Sequence, residues 1–333
     1  MFICAQYSSV YPSWVPPAEV LGVLSDEALY IGELRLRVTP LRDTVLPPVS
    51  SKLVKSLLLA SPVPGWMREL VEARRGYKPL FVSMLYRGRR ALYSATTQAG
   101  RPLVARAGQP LEARVAFVAH DASAAWELAA VLGGRRETPY GPVETVVEEA
   151  RIQTPEQLRL PSPADGPTGV LRVEARTPVV LTSKVLVATE PPPGARIPRL
   201  HRLLPSPGLV AAYAFRLWNR ALGPRYAVYW RDAWNHDAAM VARAAEVYMA
   251  EIDYQLHPET VVIGRGASGR LRLARGWRGW ITYRVAGPRL ARLLDRLLAL
   301  TNTLGLGRSR GIGLGDTHAQ WIQPKNNKTK PNQ

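Results

Sequence analysis

Cysteine is nearly absent from this 333-residue chain: Cys4 stands alone, which excludes an intramolecular disulfide framework and any cysteine-rich zinc or iron–sulfur site. Histidine is scarce too, with five in all and none before His120. They are scattered, show no H-x-x-x-H spacing, and have no compact acidic cluster beside them except at 144–149, where strand-like spacing points to a solvated face. Neither a metal nor another cofactor is expected. No apolar run reaches the ~18 residues of a membrane span. No Lys or Arg precedes Arg35, so the basic start of a secretory signal is missing. These absences predict a cytoplasmic protein with no membrane partner.

Acid is also in short supply. The chain holds 26 Asp plus Glu against 44 Lys plus Arg, a formal net charge of +18, which points to a polyanionic partner and to nucleic acid first. The cations are mostly arginine, 37 against 7 lysines. Arginine is a planar phosphate fork and a stacking surface for bases, so this surface suits RNA. Genomic bias toward arginine codons or adaptation to heat explains part of the excess, but not the few lysines that remain. Lys52, Lys55, Lys78 and Lys184 therefore stand out as compact point charges.

The Pro/Gly-rich stretch 161–167 divides the chain, with +4 over residues 1–160 and +14 over 161–333. Alternation predicts a strand over 33–38, and Ser50-Ser51 is expected to cap a helix over 52–60. A short helix over 66–75 follows, then strands over 79–86 and 111–119 around a basic hairpin at 87–90. Asp121 is expected to cap a helix over 122–132, before a strand over 143–152. The second half repeats the order: a strand over 170–175, helices over 208–221 and 237–251, and strands over 260–264 and 271–283. An amphipathic helix over 288–303 and a strand over 317–322 close it. The fold class is α+β, two tandem ferredoxin-like βαββαβ domains at 28–160 and 170–323, with a linker at 161–169. Residues 1–27 form an N-terminal extension and 324–333 a polar tail.

Between the last helix and last strand lies a loop with five glycines in eleven residues, Gly305, Gly307, Gly311, Gly313 and Gly315, carrying Arg308 and Arg310. Glycines let backbone N–H groups approach an anionic chain, and the arginines add charge directed at phosphate, so the loop is expected to bind RNA. Its G-x-G-x-x-x-G spacing, after a helix and before a strand, fails the dinucleotide-binding pattern on both counts.

With this loop the sequence resembles the RAMP-type CRISPR endoribonucleases, which cut repeat-containing precursor transcripts into guide RNAs. It is similar to an archaeal branch of that family through Leu46-Pro-Pro-Val-Ser-Ser-Lys-Leu-Val-Lys55, Gly76-Tyr-Lys-Pro79, Ser183-Lys-Val-Leu186 and Gly208-Leu-Val-Ala-Ala-Tyr213, and through Tyr254-Gln-Leu-His-Pro258 and Leu271-Arg-Leu-Ala-Arg-Gly-Trp-Arg-Gly-Trp280. The resemblance implies metal-independent cleavage in which a ribose 2′-OH attacks the adjacent phosphate, leaving a 2′,3′-cyclic phosphate and a 5′-OH. Many members use a first-domain histidine as acid or base, a device this chain lacks. In the histidine-lacking branch lysines and arginines carry the site, which assigns catalysis to Lys52, Lys55, Lys78 and Arg272, with Arg308 the matching position in the glycine loop; Lys184, by its own reading, either holds RNA backbone or caps a strand. CRISPR repeat RNA is the implied partner, with effector-complex subunits and a second copy of the chain as further ones.

Taken by themselves, the residues leave alternatives open. Lys52 and Lys55 share a helix face, where they either converge on one phosphate and depress each other's pKa or are simply solvated. Position alone does not separate Arg272 from Arg270 or Arg275. His257 reads as structural, and Trp277 and Trp280 as core or as stacking platforms. The competing function is a non-catalytic RAMP subunit that holds guide RNA as a scaffold. Tandem RRM-like RNA binding is weaker, because the aromatic strand motif of RRM sheets is missing.

Overall fold

The structure, a computed structural model, describes residues 28–73, 78–98, 102–186, 200–228, 234–266 and 268–323. The extension 1–27, the tail 324–333 and the motif residues Gly76 and Tyr77 lie outside these. In the first half the elements run β1 (Tyr30–Pro40), β2 (Thr44–Leu46), α1 (Ser51–Ala60), α2 (Gly65–Glu72), β3 (Leu80–Val82), β4 (Tyr86–Arg87), β5 (Arg90–Ala91) and β6 (Leu103–Ala105). They continue with β7 (Leu111–Ala119), α3 (Ala124–Leu132), β8 (Gly134–Thr138) and β9 (Gly141–Gln153). Alternation sets β1: Leu34, Leu36 and Val38 are buried while Arg35 and Arg37 between them are exposed.

The second half runs β10 (Val170–Val179), β11 (Leu181–Thr182), β12 (His201–Arg202), α4 (Pro207–Leu222), α5 (Trp234–Tyr248), β13 (Met249–Arg265), β14 (Leu271–Val285), α6 (Pro288–Leu304) and β15 (Thr317–Trp321). Its sheet has the order β13-β14-β10-β15, all neighbours antiparallel. In the first half β3, β7, β1 and β9 lie side by side in the equivalent order. Second, third, first, fourth is the ferredoxin-like order, so two such domains stand in tandem.

Several expectations are corrected. Ser50 does not cap α1: its hydroxyl donates to the Leu92 carbonyl (2.5 Å) and accepts from the Leu85 N–H (2.9 Å), while Ser51 reaches across the domains to the Ile312 carbonyl (2.7 Å). Asp121 closes the turn before α3 by accepting from the Ser123 N–H (2.7 Å), and Ser123 occupies the cap position. The helix expected to reach 251 ends at Tyr248, because Met249 onward pairs with β14 and cross-strand pairing overrides the helical preference of Ala and Glu. Strand β8, largely polar, has no apolar alternation by which to be seen.

The stretch 161–169 is tied to the second domain: the Pro161 carbonyl accepts from Trp321 N–H, and the Gly169 carbonyl from Val285 N–H. The domains also share a core, since Ile31, Phe81, Ala116 and Val118 pack into the second-domain cluster. A smaller cluster of Val49, Met84, Tyr93, Val180, Val261, Ala274 and Leu314 spans the seam. There the half-buried Arg114 binds Glu33 (2.9 Å) and the buried Asp316 (2.9 Å), and Tyr86 donates to Asp316 (2.7 Å). An ion pair largely shielded from water is costly to break from one side, so it fixes the residue that ends the glycine loop against the first domain.

Candidate RNA-binding and active site

Helix α1 buries Leu53, Val54, Leu57 and Leu58 at helical spacing, which leaves Lys52 and Lys55 on the outer side. Facing them is the glycine loop of the second domain. Between the two lies a cleft of about 540 Å³ lined by Lys55, Lys78, Lys184, Arg216, Arg272, Arg308 and Arg310, with Gly307, Ser309 and Gly311. Every charged residue of that lining is a cation. Seven positive groups around one cavity make a strong field for a phosphodiester.

The lysines divide by environment. Lys55 is half-buried, and burial first and the Lys52 charge second lower its pKa, which brings an ammonium closer to proton exchange near neutrality. Lys52 influences Lys55 but does not line the cleft; its Nζ lies beside Gly264, whose ladder partner is Arg272. The structure revises Lys78. Its Nζ donates to the carbonyls of Leu70 (2.9 Å), Val71 (3.1 Å) and Ala73 (3.3 Å), closing the C-terminus of α2, and its side chain passes against Gly311. Burial, then Lys55 and Arg310, push its pKa down to about 8. It holds the wall rather than offering a free ammonium.

The glycine loop is also not what its composition suggests. Its amides bond inward: Leu306 N–H to Gly315 O, Arg308 N–H to Val180 O, Gly313 N–H to Arg310 O and Gly315 N–H to Pro178 O. A Cβ on Gly315 (φ +75°) would lie 2.0 Å from the Leu306 carbonyl, and one on Gly307 (φ +86°) 2.7 Å from the Val180 carbonyl. Gly305 and Gly313 are equally buried, against Phe81 and Met84. Four of the five glycines are therefore demanded by close packing inside the protein, not by a ligand. Arg310 is corrected with them: it is 5% exposed and donates to the Leu304 carbonyl (2.7 Å) at the end of α6 and to the Lys78 carbonyl (3.2 Å). What the loop offers outward is its crest, exposed Arg308 and Ser309 with half-buried Gly311. Ser309 is the one non-glycine residue with positive φ (62°) among those described, a mildly strained position at the cleft edge.

Arg272 lines the cleft from exposed β14; Arg270 and Arg275 do not. Lys184, exposed on a short turn after β11, lines it too, so with Lys55, Lys78, Arg216, Arg272 and the loop six separated stretches of sequence converge. Arg216 was missed. It interrupts α4 between buried Phe215 and Leu217, and the signal was there: an arginine in the middle of an otherwise apolar helix, a turn before the exposed Arg220 at its end. Trp277 is fully buried and belongs to the core, Trp280 lies under Arg172 (4.0 Å to the ring centroid), and His257 sits in β13 away from the cleft. Among the described residues no group of three or more His, Cys, Asp or Glu side chains gathers as a metal site, and no helix is long and apolar enough to cross a membrane.

Comparison with known proteins agrees with this architecture. Residues 33–153 match the Cas6 N-terminal domain model, and residues 173–317 match the model of the CRISPR-associated endoribonuclease Cas6. Two Saccharolobus solfataricus proteins, CRISPR-associated endoribonucleases Cas6 1 and Cas6 2, are each 31% identical to it. The first alignment covers 89% of this chain and 99% of the relative, and the second 87% and 96%. Thermus thermophilus Cas6 shares the fold at a TM-score of 0.54 and 17% identity, covering 89% of this chain and 99% of that one. A Cas6 product complex aligns at 0.54 and 19%, covering 88% and 99%. With two matched domains and relatives aligned over nearly their whole length, the chain belongs to the Cas6 family of CRISPR-associated endoribonucleases.

Proposed function

We propose that this protein cleaves CRISPR repeat RNA into guide RNAs without a metal, through attack of a ribose 2′-OH on the adjacent phosphorus. The 2′-oxygen–phosphorus bond forms as the 2′-OH gives its proton to solvent, the bond to the 5′-oxygen breaks, that oxygen gains a proton, and the products carry a 2′,3′-cyclic phosphate and a 5′-OH. The observation that carries this reading is the all-cation lining of the cleft, which attracts a phosphodiester and repels a divalent ion. Arg272 and Arg308 neutralise the phosphorane. Lys55, its pKa lowered, gives the proton to the leaving oxygen, and Lys52 sustains that lowering. Lys78 and Arg310 are positioning residues that hold α2 and the loop crest at the right separation.

Labelled repeat RNA incubated with purified protein in EDTA tests this. Cleavage is expected to persist, and to vanish when the nucleotide 5′ of the cut is 2′-deoxy. Activity lost on chelation and restored by Mg²⁺ would overturn the mechanism. The cleft lining contains no histidine, which favours the scaffold role as a second reading. Tight binding of repeat RNA with no cleavage at any pH would establish it.

A further inference from the structure

A second and larger cleft, about 1040 Å³, opens beside the cationic one and shares Lys78 and Ala73 with it. Its walls come from α2, from the β7–α3 turn and from α4. Unlike its neighbour it carries acids: Glu69, Glu72 and Asp121 line it together with Lys78, Arg220 and the half-buried ring of Trp66. Trp66 is held from behind by Phe117, with ring centroids 5.2 Å apart.

Helix α4 runs past both clefts. Arg216 lines the cationic one and Arg220 the larger one. Four residues apart, they lie on one face, about 6 Å apart along the helix axis. A strand leaving the scissile phosphate at Arg216 thus meets a second arginine about one helical turn away. The acids then make sense. Carboxylates repel phosphate, so this cleft is a poor backbone cradle, but they accept from the exocyclic amino groups of adenine, cytosine and guanine. Single-stranded RNA is recognised by bases splayed onto aromatic side chains and hydrogen-bonded at their edges.

We propose that the larger cleft is a base-recognition subsite: an unpaired, amino-bearing nucleobase flanking the cut lies on Trp66 and donates to Glu69 or Glu72, with its phosphate at Arg220. This rests on the ribonuclease reading above and adds to it a sequence requirement outside the reacting nucleotides.

The test uses the full chain and uncleavable 2′-deoxy repeat RNAs in which each nucleotide flanking the cut is made abasic in turn. At one flanking position the abasic change is expected to weaken binding roughly tenfold, the loss of one stacked base. A uridine there should cost part of that, since it lacks the amino group. In Trp66→Ala and in Glu69→Ala the penalty at that same position should shrink or disappear, while penalties elsewhere persist. Glu69 and Arg220 are exposed, so Glu69→Ala and Arg220→Ala report on the cleft even if Trp66→Ala does not fold. If wild-type protein binds and cleaves repeat RNA but no abasic position is neutralised by these variants, the subsite is wrong and the ribonuclease reading stands. If wild-type protein neither binds nor cleaves repeat RNA, both fall.

Discussion

The two walls of the cationic cleft place positive charge by different means. On the second-domain wall Arg308 rides the crest of a loop whose amides and glycines are consumed by internal packing, and Arg272 rises from a strand ladder. Both are guanidinium groups, planar forks suited to a phosphate. On the first-domain wall the charges are lysines, and burial first and neighbouring positive charge second lower the pKa of Lys55 and Lys78. A fixed cation can only bind and neutralise, whereas a lysine with lowered pKa can also exchange a proton. One wall is suited to grip the phosphate and the other to move hydrogen. Variants on each wall should therefore fail in different measurements.

The largest separation is expected at Lys55. Lys55→Ala should lower the single-turnover rate at saturating enzyme by ~10²–10³ while changing affinity for a 2′-deoxy repeat much less. Lys52→Ala should cost less, because Lys52 acts through Lys55 and not on the cleft. Equal losses from both would return them to one shared role. Next comes the loop interior. Gly315→Val sets a side chain at positive φ against the Leu306 carbonyl, and strain plus overpacking should cost about 3 kcal/mol or more, read as a lowered Tm. Gly307→Val belongs to the same class: with its Cβ site beside the Val180 carbonyl, it should lower Tm before it touches binding. A smaller and sharper contrast separates two arginines two residues apart. Arg308→Ala should leave Tm in place, weaken repeat-RNA binding and reduce the salt slope by roughly 0.7, one single-strand phosphate contact. Arg310→Ala should do the reverse, lowering Tm by leaving the buried Leu304 carbonyl without its donor.

Much of this was legible in the sequence, for physical reasons that differ by element. Periodicity gave β1, β10 and α6, because a half-buried strand and an amphipathic helix must alternate to bury one face. The strand order followed from the repeated βαββαβ pattern. Spacing could not place Lys78 at the end of α2 or Arg310 inside the protein, since whether a cation meets carbonyls or water is settled by tertiary contacts. The glycine loop is the instructive error. Five glycines signal close backbone approach, and the approach is real, but the partners are Val180, Leu306, Phe81 and Met84. Composition reports that something comes near, not what it is. Ser50 and Ser51 erred the same way, with hydroxyls spent on Leu92 and Ile312 instead of on their own helix.

The smallest expected effect concerns the pH dependence of stability through Lys78, where two influences oppose each other. Three carbonyl acceptors favour the ammonium, while burial and the flanking charges of Lys55 and Arg310 disfavour it and bring the pKa from 10.5 to about 8. If the second influence wins, the folded chain releases this proton near pH 8 and the unfolded chain only near 10.5. Between those values the unfolded state holds more protons, so the contribution of Lys78 to stability rises with pH across that window, and below it the charged form carries its full penalty. Tm should be compared between wild type and Lys78→Gln at intervals from about pH 7 to 10, since the glutamine cancels the titration of every other group. The wild-type advantage should be least at the low end and grow toward pH 10. An advantage that stays flat across the window would mean that the three carbonyls hold the ammonium at its ordinary pKa against burial and the charges around it.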